Sequence, residues 1–98
     1  MSSSMLTPIT LERITKGFAN RQRIRLLLKI DKLPIYSEVE VSTLLHLNPK
    51  TVFEHLRRLM AAGLVSKKRF GTRIVHRVTP LGKDVLAFVR KLDDRVCR

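Results

Sequence analysis

Cysteine, tryptophan and acidic residues are the scarce components of this chain, and each scarcity excludes something. Its one cysteine, Cys97, stands beside the last residue, so an internal disulfide and a cysteine-built metal site are both ruled out. An incidental thiol is the plain reading of Cys97, with an intermolecular disulfide as the alternative. There is no Trp and there are only five aromatic residues in 98, so the core must be filled mainly by Leu, Ile and Val. No apolar run approaches the roughly 20 residues needed to span a bilayer. Met1-Ser2-Ser3-Ser4-Met5 has no charged start and no apolar stretch behind it, so no secretory signal is expected and a cytoplasmic protein is. There is also no Gly-rich phosphate loop, no metal-ligand cluster and no nucleophile with a spaced base. The expectation is a protein that is not an enzyme and has no cofactor.

What the chain does have is positive charge. Twenty Lys and Arg against eight Asp and Glu give a net charge of +12, a self-repulsion most naturally relieved by a polyanion such as nucleic acid. Its length suits one modest core and a single domain.

Thr7-Pro8 and Thr10 offer caps for a short helix on which Leu11, Ile14 and Phe18 share a face, ending near Gly17. Asn20 caps a second helix whose face is Ile24, Leu27 and Ile30 and which ends before Pro34. Ser37-Glu38-Val39-Glu40 has the form of a capping box for a short helix reaching about Leu45. After His46-Leu47, Asn48-Pro49 starts a helix of about residues 49–62, with Val52, Leu56 and Leu59 as its buried stripe and Gly63 as its stop. Leu64-Val65 and Ile74-Val75 with Val78 flank a basic centre at Phe70-Gly71-Thr72-Arg73, which reads as a hairpin over about 64–79. Thr79-Pro80 caps a last helix of about 80–95, on which Leu81, Val85, Phe88, Val89, Leu92 and Val96 lie near one face. The expected fold is mainly α with a small β-hairpin, a winged helix-turn-helix with a C-terminal dimerisation helix. It occupies residues 8–98 behind a disordered tail of residues 1–7.

Two helices joined by His46-Leu47-Asn48 match the helix-turn-helix plan, in which the second helix enters the major groove and the hairpin is the wing. Charge supports this over an ordinary three-helix core. Residues 50–77 carry eight basic side chains (Lys50, Arg57, Arg58, Lys67, Lys68, Arg69, Arg73, Arg77) and one acid, Glu54.

Three stretches resemble the winged helix-turn-helix transcription regulators of the ArsR-like type, with MarR-like features: Phe18 through Leu27; Asn48 through Leu59 with Ala62-Gly63-Leu64-Val65; and Val78-Thr79-Pro80-Leu81-Gly82-Lys83. The Thr-Val pair, the His-Leu pair and the Gly-Leu-Val exit of the second stretch carry most of the likeness. The sequence departs from the family at position 53, where Phe53 stands in place of a small polar residue, and at the turn position often held by Gly, which is His46. The base preference is therefore not transferable. Metal sensing is not expected, because the family's sensors use paired Cys, or His and acidic residues on particular helices.

At 100° per residue, Lys50, Glu54, Arg57 and Ala61 lie opposite the Val52-Leu56-Leu59 stripe. The DNA-contact candidates are Asn48, Lys50, Thr51, Phe53, Glu54, Arg57 and Arg58, joined by Lys67, Lys68, Arg69 and Arg73 on the wing as phosphate or minor-groove contacts. Arg57 could read guanine and Glu54 could accept from cytosine, or Glu54 forms a helical ion pair with Arg57 or Arg58. Phe53 touches a thymine methyl or, as preferred, packs on the preceding helix. His55 beside the stripe reads as a packed, hydrogen-bonded histidine rather than a switch or ligand. Neither His46 nor His76 has a partner pattern.

Leu11, Ile14, Val85, Phe88, Val89 and Leu92 are the expected homodimer interface, since the two terminal helices carry more apolar surface than one small domain covers; the alternative is that both helices fold back on their own domain. The functional expectation is a dimeric, repressor-like regulator that binds double-stranded DNA sequence-specifically, cytoplasmic and nucleoid-associated, with no membrane partner and no evident small-molecule effector. A non-specific architectural protein and an RNA- or protein-docking winged helix are the alternatives.

Overall fold

The computed structural model describes residues 7–32 and 38–97, in the order α1 Pro8–Phe18, α2 Arg21–Lys32, α3 Glu38–Leu45, α4 Pro49–Ala61, β1 Val65–Phe70, β2 Arg73–Val78 and α5 Pro80–Val96. Ser37 and Pro34 lie outside the described residues, as does most of the N-terminal tail. Thr7 is the N-cap of α1, as Thr7-Pro8 implied, its Oγ1 accepting from the Thr10 amide at 3.2 Å.

The caps follow from side-chain chemistry at each helix start. Asn20 Oδ1 accepts from the amides of Gln22 (2.9 Å) and Arg23 (3.2 Å), and Asn48 Oδ1 accepts from that of Lys50 (2.8 Å). Each satisfies donors that have no partner within the helix. Proline follows the cap in α1, α4 and α5, where its missing N–H costs nothing.

The two helices of the pair, α3 and α4, end by the same device. Leu47 N donates to Ser42 O (2.9 Å) and His46 N to Thr43 O (3.3 Å); Leu64 N donates to Leu59 O (3.0 Å) and Gly63 N to Met60 O (3.0 Å). This is the Schellman pattern, which needs a left-handed residue just past the helix. Gly63 supplies it freely at φ 80°, whereas His46 adopts φ 57° with a side chain attached. A left-handed non-glycine residue costs about 1 kcal/mol. His46→Gly is therefore expected to raise the melting temperature by roughly 4–8 °C, and a thermal melt showing no gain would mean that the imidazole compensates for the strain.

The core is aliphatic, as expected. Leu26, Leu27, Ile30, Val41, Leu45, Val52, Leu56, Leu59, Leu64, Val65, Val85 and Leu86 are all buried. No described aromatic side chain joins them: Phe18 is half-buried, and Phe53, Phe70 and Phe88 are about half exposed. α2 is the central element, packing on α3, α4, α5 and β2. Its buried surface is consequently wider than the sequence reading, with Leu26 fully inside and Ile24 only half-buried.

The wing is a two-stranded antiparallel sheet whose register runs from Val65 opposite Val78 to Phe70 opposite Arg73, turning at Gly71 with φ 62°. Its base is buried through Val65, Val75 and His76, and its outer part is exposed.

Helix α5 docks through Gly82, Val85, Leu86 and half-buried Val89. Beside this face runs a second apolar stripe of Leu81, Phe88, Leu92 and Val96, exposed by 38, 53, 47 and 81%. Asp31 on α2 adds a polar tie, accepting from Lys83 Nζ (2.9 Å) and Arg90 Nη2 (3.3 Å). Its hydrogen bond from Lys83 is the main cause of a pKa below the usual carboxylate value, with Arg90 adding to it against the opposing effect of burial. A depressed folded pKa means that this contribution is present above the unfolded value, about 3.9, and is lost as pH falls through the lower folded value. Asp31→Asn is thus expected to lower the melting temperature at pH 7 and to do so progressively less as pH falls below about 3.9; a loss independent of pH would assign the tie to packing rather than charge.

Candidate nucleic-acid interface

Helix α4 buries Val52, Leu56 and Leu59 and presents the opposite side to solvent. Lys50, Arg57 and Ala61 are exposed there and Glu54 is half-exposed, as the wheel predicted, and Thr51 and Arg58 are exposed as well. Phe53 does not take the core-packing role preferred from the sequence; it lies outside the buried cluster and is 46% exposed on the flank of this face. Its position between the buried stripe and the charged side leaves the ring only partly covered.

Glu54 and Arg57 resolve as an intrahelical ion pair. Arg57 Nη2 donates to Glu54 Oε2 at 2.6 Å and to Oε1 at 2.8 Å, with Nε at 3.3 Å. The hydrogen bond from Arg57 holds the Glu54 carboxyl below its usual value, and Glu54 in turn raises Arg57. Both side chains remain well exposed, so the pair orients the guanidinium without adding appreciable stability. It shields part of the helix charge and can be exchanged for another acceptor of the same geometry.

The wing contributes Lys67, Lys68 and Arg69, all exposed on β1. Lys68 Nζ lies 5.8 Å from the centre of the Phe70 ring. Arg73 opens β2, and its side chain is not among those described.

One residue fixes the wing against the helix. Thr79 Oγ1 donates to Gly63 O at 2.6 Å and accepts from Gly82 N at 3.0 Å, while Thr79 N donates to Leu64 O at 3.0 Å. The exit of α4, the end of the hairpin and the start of α5 are therefore joined at a single side chain. The sequence marked Thr79 as a cap, but nothing local signalled its bond to Gly63, sixteen residues earlier.

Behind α4, Arg23 was not foreseen. Its Nε donates to Gly17 O (2.8 Å), Nη2 to Lys16 O (3.2 Å), and Nη1 lies 3.3 Å from His55 Nδ1. His55 is thus the packed, hydrogen-bonded histidine that its place beside the stripe implied. Burial first, and then the charges of Arg23 and Arg58, push its pKa down. Burial and Arg58 likewise lower that of Arg23. Arg23 ties the C-terminal carbonyls of α1 to α4, and a basic residue in a basic helix gives no sequence sign of such a role.

The residues expected at a dimer interface divide. Leu11, Phe88 and Leu92 are exposed, by 47, 53 and 47%; Ile14 and Val89 are half-buried against the core; Val85 belongs to the core itself at 7% exposed. Val85 fills the chain's own interior because α5 turns its 82–85–86–89 side inward. Ile9, at 70%, extends the exposed set on α1. Cys97 is exposed, and Asp93 beside it raises its thiol pKa, which keeps the group in its less reactive form.

Among the described residues no group of three or more His, Cys, Asp or Glu could hold a metal ion, and no helix is long and apolar enough to cross a membrane.

Residues 21–67, from the start of α2 into β1, match the family described as bacterial regulatory protein, arsR family. Solved structures resemble nearly the whole chain. A homodimeric winged helix-turn-helix DNA-binding domain from Mycobacterium bovis, described as a possible ArsR-family transcriptional regulator, has a TM-score of 0.78 at 23% identity, over 96% of this chain and 91% of that one. A crystal structure of a possible transcriptional regulatory protein from Mycobacterium bovis has a TM-score of 0.73 at 26% identity, covering 87% and 91%. MarR has a TM-score of 0.71 at 21% identity, covering 97% and 75%. No curated protein matches the chain significantly. The matched family and the neighbouring folds are those of transcription regulators, not enzymes.

Proposed function

We propose that this chain, which matches the arsR-family model over residues 21–67 and has a winged helix-turn-helix fold, is a transcription regulator of that type that binds double-stranded DNA sequence-specifically as a homodimer and represses transcription. The observation that carries this is the solvent-facing side of α4. Lys50, Arg57 and Arg58 stand there with only Glu54 opposing them, and Lys67, Lys68 and Arg69 stand exposed on the wing that Thr79 clips to the same helix. A helix of this width fits the major groove, and the wing cations follow the phosphates beside it. Arg57, held by Glu54 in the free protein, is the base-reading candidate. Lys50, Thr51, Arg58, the Asn48 end of the helix, Phe53 and the wing are the positioning contacts. A place in the cytoplasm, on the nucleoid, follows from such a partner.

Selection from random duplexes followed by sequencing tests the reading directly. One motif is expected, bound orders of magnitude more tightly than random DNA at fixed salt. Arg57→Ala should cost about 1–3 kcal/mol on that motif and relax preference at one base pair. Lys68→Ala should weaken all duplexes alike and lower the salt slope by about one. Equal affinity for every duplex would leave an architectural DNA-binding protein, and failure of duplex DNA to compete with RNA would discard the DNA reading.

A further inference from the structure

We propose that the cleft between α1 and the last turn of α4 is a phosphate-binding site, in which Arg13, Lys16 and Arg58 hold the oxyanions of a DNA backbone or of a free phosphorylated compound. For the backbone source the proposal rests on the DNA-binding reading above; for the free compound it stands alone.

The cleft has a volume of about 490 Å³ and is lined by Arg13, Lys16, Gly17, Arg58, Ala61 and Ala62. Its construction begins at Gly17, where a side-chain carbon would overlap the Cβ of Ala62. The missing side chain lets α1 and α4 approach closely, and the small residues Ala61 and Ala62 continue the floor. Arg13, Lys16 and Arg58 supply three cationic side chains to this lining.

Charge in this region is not balanced from within. The one ion pair is Lys16 with Glu12 at 3.2 Å, both largely exposed. Arg13 and Arg58 have no ion pair among the described residues. Arg23, with its guanidinium spent on the carbonyls of Gly17 and Lys16, adds a further positive charge nearby. Burial is the main cause that lowers the pKa of His55 and of Arg23, and the charge of a neighbouring arginine adds to it in each case.

Two guanidiniums and an ammonium lining one cleft from two helices match an anion with several oxygens in different directions. A phosphate offers that, and arginine binds it through paired N–H donors. A single carboxylate offers two oxygens in one plane and leaves one cation unanswered. Ala61 lies on the side of α4 opposite its buried stripe, so the cleft opens next to the surface proposed to meet DNA. A strand leaving the edge of the major groove would pass over it.

The test uses the full chain with Arg13→Gln and Lys16→Gln combined. Both residues are exposed on α1, so the Gly17–Ala62 contact and the Arg23 hydrogen bonds persist, and an unchanged melting curve checks this. Two measurements are made on parent and variant: the salt dependence of duplex affinity, and NMR of the His55 ring during titration with inorganic phosphate at constant ionic strength. If the cleft takes the DNA backbone, the double variant lowers the salt slope by about two and weakens all duplexes equally. If it takes a free phosphate, the parent shows a saturable shift of the His55 resonances that the variant lacks. A variant that matches the parent in both measurements overturns the proposal. Should no duplex bind even to the parent, the function proposed above fails, while the phosphate titration still decides the fate of the cleft.

Discussion

Gly82→Ala is expected to lower the melting temperature by roughly 10 °C, a loss of about 2 kcal/mol, although alanine is the better helix former. Propensity alone predicts the opposite sign, since replacing a helical glycine by alanine gains about 1 kcal/mol. The packing at this position outweighs that gain. A Cβ on residue 82 would overlap the carbonyl oxygen of Leu64 and come within 2.6 Å of Val78 Cγ1. The Leu64 carbonyl is backbone and already accepts from Thr79 N at 3.0 Å, so it has no rotamer through which to give way. Relief requires α5 to move off the base of the wing, which breaks the Thr79 clip or opens the buried cluster around Leu64 and Leu86. Gly71→Ala provides the contrast: it has φ 62° but nothing within 4 Å, so only the backbone strain of about 1 kcal/mol applies. Differential scanning calorimetry of the two variants measures both losses. A Gly82→Ala protein that melts at or above the parent temperature would show that α5 can shift freely against the wing, and the rigid coupling of wing to α4 would have to be given up.

That coupling marks the limit of what the sequence could disclose. The caps at Thr7, Asn20, Asn48 and Thr79 were legible because each rests on a side chain and an amide two or three residues away. The Val52-Leu56-Leu59 stripe was legible because periodicity is local too. The α4 face opposite it therefore came out correctly. What escaped depends on distant residues. Arg23 meets His55 across 32 positions, and Thr79 meets Gly63 across sixteen. Leu86 is buried because α5 turns a neighbouring side inward, which moves Val85 from the expected interface into the core. Phe53 stays 46% exposed and outside the buried cluster, where hydrophobicity alone suggested the reverse. The family resemblance marked His46 as a departure from a position often held by glycine, and the left-handed conformation found there, φ 57°, was not drawn from it.

Combining Phe88→Asp with Leu92→Asp is expected to leave the domain folded, convert the proposed homodimer into a monomer and weaken binding to a two-half-site duplex by about 10²–10⁴. Neither side chain belongs to the buried cluster, and each is about half exposed, so the substitutions remove little from the chain's own core. Their cost falls on the partner surface. Two carboxylates on each subunit would face the same groups across a two-fold axis, where unpaired buried charges are strongly unfavourable. In the proposed dimer, two α4 helices lie about 34 Å apart and read successive major grooves. The second half-site then binds at the high effective concentration that the first one sets, and a monomer loses that advantage without losing a single DNA contact. Affinity for an isolated half-site should therefore be unchanged. Light scattering after size exclusion reads the assembly, and titration against half-site and full-site duplexes reads the consequence. A parent protein that is monomeric at micromolar concentration would overturn the homodimer, and a variant that still dimerises would move the interface away from α5. A full loss of half-site binding would instead mean that the aspartates disturb the domain, and the avidity argument would fall with it.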